Sequence, residues 1–458
     1  MSLSANLAGL IDRKKLKFSI LAGLLLGAGL TISFVAHERA EGEPKFRAIA
    51  QSMLNVASML PEDFLSGKQP ASPDAPVPPE DVPAEDIFEP ADFLDASMEL
   101  LLEAGKGGGP AQVQLESGER LTFSILSRLQ AEVEKVYGDY EPVEAAFVAI
   151  DPHTGEVLAL TGWANGELAP HRALQADGPA ASIFKMVSAA ALVEEHNVRT
   201  EKEFCYHGGR SGISKRLLEP DPEKDNACMT FSAAMGKSAN VIFARLADKF
   251  LDREEMKRFG ERFGFNRVIP FVWPVELSKM EVPKDRLEFA RMAAGFSHSK
   301  LSPLHGALMG AAVANGGLMM QPQILQSVDA ADGEEIFRSQ PRAFQRTMSA
   351  KTATKLARMM VTTTTEGTAH KYFARTAPQL KGIKVAGKTG SLSQVKNGER
   401  LYHSWLVGFA PADNPRIAFA SLVVNGPKWR VKGPYVAKRA LEVFFKETAA
   451  AVDKVAAR

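Results

Sequence analysis

Hydrophobic and polar positions divide the 458-residue chain into stretches of different period. Phe18 to Ala36 is an uncharged, mostly apolar run of about 19 residues, long enough to cross a hydrocarbon core as a helix. In Pro44 to Leu60, Phe46, Ile49, Ala50, Met53, Leu54 and Leu60 recur at helical spacing, which predicts a short amphipathic helix. The pattern then breaks. Residues 61–90 interleave Pro70, Pro73, Pro76, Pro78, Pro79 and Pro83 with acidic residues from Glu62 to Glu89, and Lys68 is their only base. Such a stretch buries too little apolar surface to offset its chain entropy and reads as an extended, self-repelling spacer. A second short helix from Ala91 to Glu103 ends at Gly105, and Gly107 to Pro110 closes the tether.

Globular patterning begins near Leu115. Leu121 to Tyr137 reads as a helix with Ile125, Leu126, Leu129, Val133 and Val136 on one face. Phe147–Asp151 and Glu156–Leu160 are short apolar runs around Pro152-His153-Thr154-Gly155, which predicts an antiparallel hairpin. Helical patterns follow at Met186–Val193 and Val241–Phe250. Ile383–Leu392 reads as a strand although glycine interrupts it at Gly387 and Gly390, where another backbone or a ligand can come close.

A net charge of +1 offers no electrostatic handle for nucleic acid. Nine scattered histidines and two cysteines give no metal-ligand spacing, and no Gly-rich phosphate loop appears, so no metal or cofactor is implied. His298 and His305 read as ordinary surface or core histidines. Charge does change the reading of the first apolar run. Arg13, Lys14, Lys15 and Lys17 precede it, which puts residues 1–17 in the cytoplasm and everything after Ala36 outside. A cleaved signal peptide is the rival, but His37-Glu38-Arg39-Ala40 lacks a small-x-small site and the run exceeds the usual apolar core of a signal. Residues 18–36 are therefore expected to be a single membrane anchor. Cys205 and Cys228 then lie in an oxidising space. Either they form a disulfide closing a loop of about 23 residues, worth roughly 3 kcal/mol, or they are two buried free thiols.

The candidate chemistry centres on Ala181-Ser182-Ile183-Phe184-Lys185. If Ser182 opens a helix, Lys185 lies one turn along the same face and its amine reaches the hydroxyl. An amine deprotonates serine at neutral pH only when its pKa falls from about 10.4 toward roughly 7, at a cost of about 4 to 5 kcal/mol. Alone, S-x-x-K most often marks a capped helix start with a solvated lysine. Lys237-Ser238-Ala239-Asn240 can likewise be an N-cap, or Ser238 can relay a proton while Asn240 offers donor and acceptor to a substrate amide. In Gly387-Lys388-Thr389-Gly390-Ser391, Lys388 would place a cation beside Lys185 and Ser238. Thr389 and Ser391 would offer hydroxyls to a carboxylate, Gly390 clearance, and the Ser391 N–H an oxyanion hole with that of Ser182.

S-x-x-K, S-x-N and K-T-G in this order, separated by about 53 and 148 residues, resemble the three-motif signature of penicillin-binding proteins and serine β-lactamases. Phe147–Thr161, Leu301–Pro322 with Ala314-Asn315-Gly316-Gly317, Gly367-Thr368-Ala369 and Ser404–Pro411 also resemble penicillin-binding transpeptidase domains. The chain departs at Ala180-Ala181-Ser182-Ile183-Phe184-Lys185, where the family usually has Pro-Gly-Ser-Thr-Phe-Lys. The resemblance implies an α/β (α+β) domain over residues 119–446, an antiparallel sheet flanked by helices plus a helical lobe, with the site between them. A linker at 37–118 would precede it and a tail at 447–458 follow.

By that resemblance Ser182 is the acyl acceptor, Lys185 its base and Ser238 the relay. Asn240 holds the donor peptide, and Lys388, Thr389, Gly390 and Ser391 take its carboxylate end. The implied activity is monofunctional D,D-transpeptidation of peptidoglycan stem peptides at the outer face of the bacterial cytoplasmic membrane, with β-lactams as covalent ligands and other wall-synthesis proteins as possible partners. The rival enzymes are a D,D-carboxypeptidase and a serine β-lactamase. Glu276 lies near where one β-lactamase class keeps its deacylating glutamate, but Met280 stands where that class has asparagine, so Glu276 is expected to be structural. A rival of another class is a non-catalytic β-lactam sensor or division scaffold.

Overall fold

A computed structural model of the chain describes Leu101 and residues 110–456, apart from 116–117, 209–211, 376 and 397. The anchor expected at 18–36, the helix at 44–60, the acidic spacer and, Leu101 aside, the helix at 91–103 lie outside the described residues. Among the described residues no helix is long and apolar enough to cross a membrane.

The centre is a six-stranded antiparallel sheet in the order β12-β13-β14-β3-β4-β5. Its strands are β3 (Glu144–Ile150), β4 (Val157–Ala164), β5 (Glu167–Leu168), β12 (Ala386–Lys396), β13 (Glu399–Ala410) and β14 (Ile417–Asn425). The hairpin read from Phe147 and Leu160 is present, with Phe147 opposite Thr161 and Val148 opposite Leu160. Every residue of β14 is buried, so it reads as a continuous apolar run rather than an alternation, the pattern of a strand covered on both faces. On one face lies α7 (Pro303–Ala314), whose Gly306 and Gly310 allow it close to Ala420, Val407 and Gly408. On the other, α1 (Ser127–Tyr140) and α9 (Gly433–Ala456) close over Phe147, Leu406 and Phe419. Each such fully buried side chain contributes about 1.5 to 3 kcal/mol. The terminal helix runs past residue 446 to Ala456 without a break.

The helix expected from Leu121 is half a strand. β2 spans Arg120–Leu126, and α1 starts at Ser127. Leu121, Phe123 and Ile125 are buried at the two-residue period of a strand, while Leu129, Val133 and Val136 continue at helical period. Ile125 fits both patterns, which hid the join. β2 pairs with β1 (Pro110–Gln114) and β9 (Leu325–Asp329), and β10 (Glu335–Arg338) completes a four-stranded sheet.

Between β4 and β12 the chain builds a helical lobe. Its helices are α2 (Lys185–Glu194), α3 (Phe231–Gly236), α4 (Asn240–Phe250), α5 (Arg253–Arg262), α6 (Arg286–Ala293) and α8 (Ala350–Thr365). Side-chain caps mark several starts: Thr230 for α3, a reciprocal Asp252–Glu255 box for α5, Asp285 for α6 and Ser349 for α8. β8 (Leu318–Met320) pairs with β11 (Ala343–Arg346), and β6 (Glu203–Tyr206) with β7 (Ala227–Thr230). In the latter hairpin Cys205 stands opposite Cys228 and the two are disulfide-bonded.

Candidate active site

Ser182 lies in a 3-10 turn, Ala181–Phe184, that runs directly into α2 at Lys185. In a 3-10 turn side chains three apart eclipse, so the hydroxyl and the amine align more closely than on an α-helix. Lys185 Nζ donates to Ser182 Oγ at 2.8 Å and to Asn240 Oδ1 at 2.7 Å, and also to the Ala294 carbonyl. The amine is fully buried and lies 5.5 Å from the centre of the Phe243 ring. Burial, and then the charge of Lys388, push its pKa well below the ordinary lysine value. An amine that sheds its proton this readily, in contact with a hydroxyl, is equipped to deprotonate it.

The second pair joins the sheet to the helical lobe. Lys388 sits on β12, the outermost strand of the sheet, and is fully buried. Its Nζ donates to Ser238 Oγ at 3.0 Å and to the Thr389 carbonyl at 2.8 Å. Burial lowers its pKa to about 7. Ser238 follows α3 in a tight turn with φ of 55°, its N–H on the Met235 carbonyl, and Asn240 two residues on is the first residue of α4. Thr389 Oγ1 bonds Thr368 Oγ1. Ser391 is exposed, and Thr389 half-buried.

Two glycines set how closely these pieces meet. A Cβ on Gly390 would stand 3.2 Å from Ile183 Cγ1 and 3.3 Å from Ala181 Cβ, so β12 lies directly against the turn that carries Ser182. Gly295, with φ of +78°, passes beneath that turn: a Cβ there would fall 2.2 Å from the Ala181 carbonyl oxygen and 2.8 Å from Ser182 Cα. Ala181 itself has φ of 50°, a left-handed conformation in which glycine is at ease and alanine costs about 1 kcal/mol.

Ser182, Lys185, Asn240, Ser238 and Lys388 thus form two hydrogen-bonded sets coupled by the field of one lysine on the other. The Ala294 carbonyl, the Phe243 ring and the Thr368 contact to Thr389 were not read as site features. A carbonyl carries no residue-type signal, and only Gly295 beside it marks the close approach. Glu276 lies in a structural tie: its carboxylate accepts from the Ala176 N–H at 2.8 Å and its N–H donates to the Leu174 carbonyl. His305 is buried, its Nε2 2.7 Å from the Phe263 carbonyl, and burial lowers its pKa to about 4. His298 pairs with Glu288. Among the described residues no group of three or more His, Cys, Asp or Glu could hold a metal ion.

The peptidoglycan D,D-transpeptidase PbpA of Mycobacterium tuberculosis is 26% identical over 320 residues, 63% of this chain and 63% of that protein. Stage V sporulation protein D of Bacillus subtilis is 24% identical over 358 residues, 74% of this chain and 54% of that protein. The chain therefore spans between about half and two thirds of the curated relatives' length. Among solved structures, the D,D-transpeptidase domain of a peptidoglycan glycosyltransferase from Eggerthella lenta aligns with a TM-score of 0.60 at 25% identity, covering 72% of this chain and 83% of that one. The family profile described as the penicillin binding protein transpeptidase domain matches residues 145–444, and with it the chain belongs to the penicillin-binding protein transpeptidase family.

Proposed function

We propose that this protein is a peptidoglycan D,D-transpeptidase that works through an acyl-serine and is inhibited by β-lactams. The observation that carries the reading is the buried Lys185 amine, held 2.8 Å from the Ser182 hydroxyl in surroundings that disfavour its charged form. Ser182 Oγ attacks the carbonyl of the D-Ala-D-Ala bond while Lys185 takes its proton. The negative charge on the tetrahedral oxygen falls to the N–H groups of Ser182 and Ser391, each such donor being worth about 2.7 to 4 kcal/mol. The proton taken by Lys185 is passed through Ser238 to the departing D-alanine amine, and the C–N bond breaks. An amine from a neighbouring stem then attacks the ester and gives its proton to Lys185, which returns it to the Ser182 oxygen as the ester C–O bond breaks and a peptide cross-link is left. A β-lactam follows the first half, but its leaving nitrogen stays tethered and the acyl group remains.

Burial lowers the Lys388 pKa to about 7, so its proton is held loosely near neutral pH. An arriving carboxylate draws the proton onto it, and Thr389 and Ser391 complete that cradle while Asn240 aligns the peptide. We further propose that residues 18–36 anchor the protein in the cytoplasmic membrane, with the catalytic domain outside. The Cys205–Cys228 disulfide supports an oxidising compartment.

Labelled penicillin is expected to mark the protein in membranes, and Ser182→Ala to abolish the mark. Labelling that persists in the variant removes Ser182 from its role. With purified wall precursor, cross-linked dimers are the expected product. Trimmed monomers alone would make it a carboxypeptidase, rapid cephalosporin turnover a β-lactamase, and acylation without turnover of any stem a sensor.

A further inference from the structure

Lys185 has two acceptors besides Ser182, and they are delivered by different helices: Asn240 opens α4, and Ala294 immediately follows α6. Nothing covalent joins those helix ends near the site. A third element lies along both. The described residues of the segment enclosed by the Cys205–Cys228 disulfide, 205–208 and 212–228, run over α4 and α6, and three arginines staple them there. Arg245 of α4 donates to the carbonyls of Leu217 at 2.6 Å, Glu219 at 3.0 Å and Cys205 at 3.2 Å, and to the Asp225 carboxylate at 2.8 Å. Arg291 of α6, three residues before Ala294, donates through two nitrogens to the Ile213 carbonyl at 2.9 and 3.2 Å. Arg286, at the other end of α6, holds Asp248 of α4 in a two-pronged pair at 2.7 Å and Glu219 of the segment at 2.8 Å.

The segment is therefore tied to both helices, with Arg286 joining all three at one end of their packing and Arg291 holding the segment to α6 toward the other. Ile213 and Leu218 of the segment are themselves buried. Its covalent closure has a second consequence. β6 continues the chain that leaves α2, and β7 leads into α3 and the Ser238 turn, so the disulfide ties the exit of the nucleophile helix to the entry of the relay. We infer that Arg245 is a positioning residue and that the arginine-stapled, disulfide-closed segment 205–228 fixes α4 against α6, so that Asn240 and Ala294 together hold the Lys185 amine in place.

This rests on the transpeptidase reading for its kinetic test but carries a structural readout of its own. In Arg245→Gln with the disulfide intact, acylation by labelled penicillin is expected to slow about ten-fold or more, as displacement of a catalytic group by a fraction of an ångström does. The rising limb of its pH–rate profile is expected to move to higher pH, because water reaching Lys185 restores its affinity for a proton while Lys388 stays in place. Arg245→Lys recovers part of the rate: it keeps the charge for Asp225, but one ammonium cannot span the three carbonyls. Both cysteines are exposed, so reductant can open the bridge in the unaltered protein, with the same expected slowing. That arm decides the matter if Arg245→Gln does not fold. Amide hydrogen exchange at the start of α4 and the end of α6 should speed up in each case, whether or not penicillin labels the protein. Unchanged exchange at those ends, or a lower melting temperature with acylation rate and pH profile unmoved, overturns the proposal.

Discussion

Around Lys388 the structure is regular. Strands β12, β13 and β14 pair in unbroken register, β12 with β13 from Ala386 opposite Phe409 to Lys396 opposite Glu399, and no residue in the three strands takes a positive φ. The lobe that carries Lys185, and that brings Ser238 to Lys388, departs from regular geometry repeatedly. Ala181, Ser238 and His298 all take positive φ, Gly295 is pressed under the Ser182 turn, and a disulfide and three arginines bind the helices together. Both lysines are fully buried, yet one sits on a strand whose register fixes its neighbours and the other in a socket made from three separate segments. A strand can aim a side chain by alternation alone. To converge a hydroxyl, an amine and two acceptors from different helices, the chain must accept strained turns, which persist only where their surroundings over-determine them.

The largest expected effect is at the socket. Lys185→Met removes the proposed base and should lower penicillin acylation by at least about a thousand-fold. The fold should be no less stable, because an apolar side chain replaces a buried amine. A variant that loses stability without losing acylation would mean that Lys185 is there to hold the lobe together. Gly295→Ala tests the strain beneath Ser182. Its Cβ has no room against the Ala181 carbonyl, so acylation should fall on the order of a hundred-fold. Wild-type rates there would show that the lobe yields more easily than its packing indicates.

On the sheet side the effects are graded by pH. Burial sets the Lys388 pKa near 7, so the rate of acylation by an anionic β-lactam should fall as pH rises through about 7 and the charge is lost. Stability has the opposite sign. The unfolded lysine keeps its proton up to about 10.4, so between pH 7 and 10 the unfolded state binds more protons and the folded state gains stability as pH rises. Urea unfolding of Lys388→Met should lack that increment; an equal rise in both proteins would remove Lys388 as its source. The smallest effect is Ala181→Gly. Relief of the left-handed alanine and the added freedom of the unfolded chain nearly cancel, leaving stability within about 0.5 kcal/mol and labelling almost unchanged.

Much of this was legible because each motif is local. Ser182 and Lys185 lie within one turn, Ser238 and Asn240 flank a helix start, and Gly387 and Gly390 mark a strand with something close against it. The strand Arg120–Leu126 was missed because Ile125 satisfies two periods at once and the partner strands that decide between them lie at 110–114 and 325–329. Thr368 was visible only as part of a family pattern. Its contact to Thr389 needs the 367–369 turn to come close to Gly236, where a Cβ on Gly367 would meet the Gly236 carbonyl at 2.2 Å.

Residue order alone determined which groups could act as nucleophile, base, relay and cation, since those choices rest on side-chain chemistry and short spacing. Tertiary structure decided whether the two lysines would be buried and which carbonyl would complete the Lys185 socket. It also decided that the loop between the cysteines would bind two helices together. Those outcomes depend on desolvation and on contacts between segments tens to hundreds of residues apart, and such distances leave no period in a sequence.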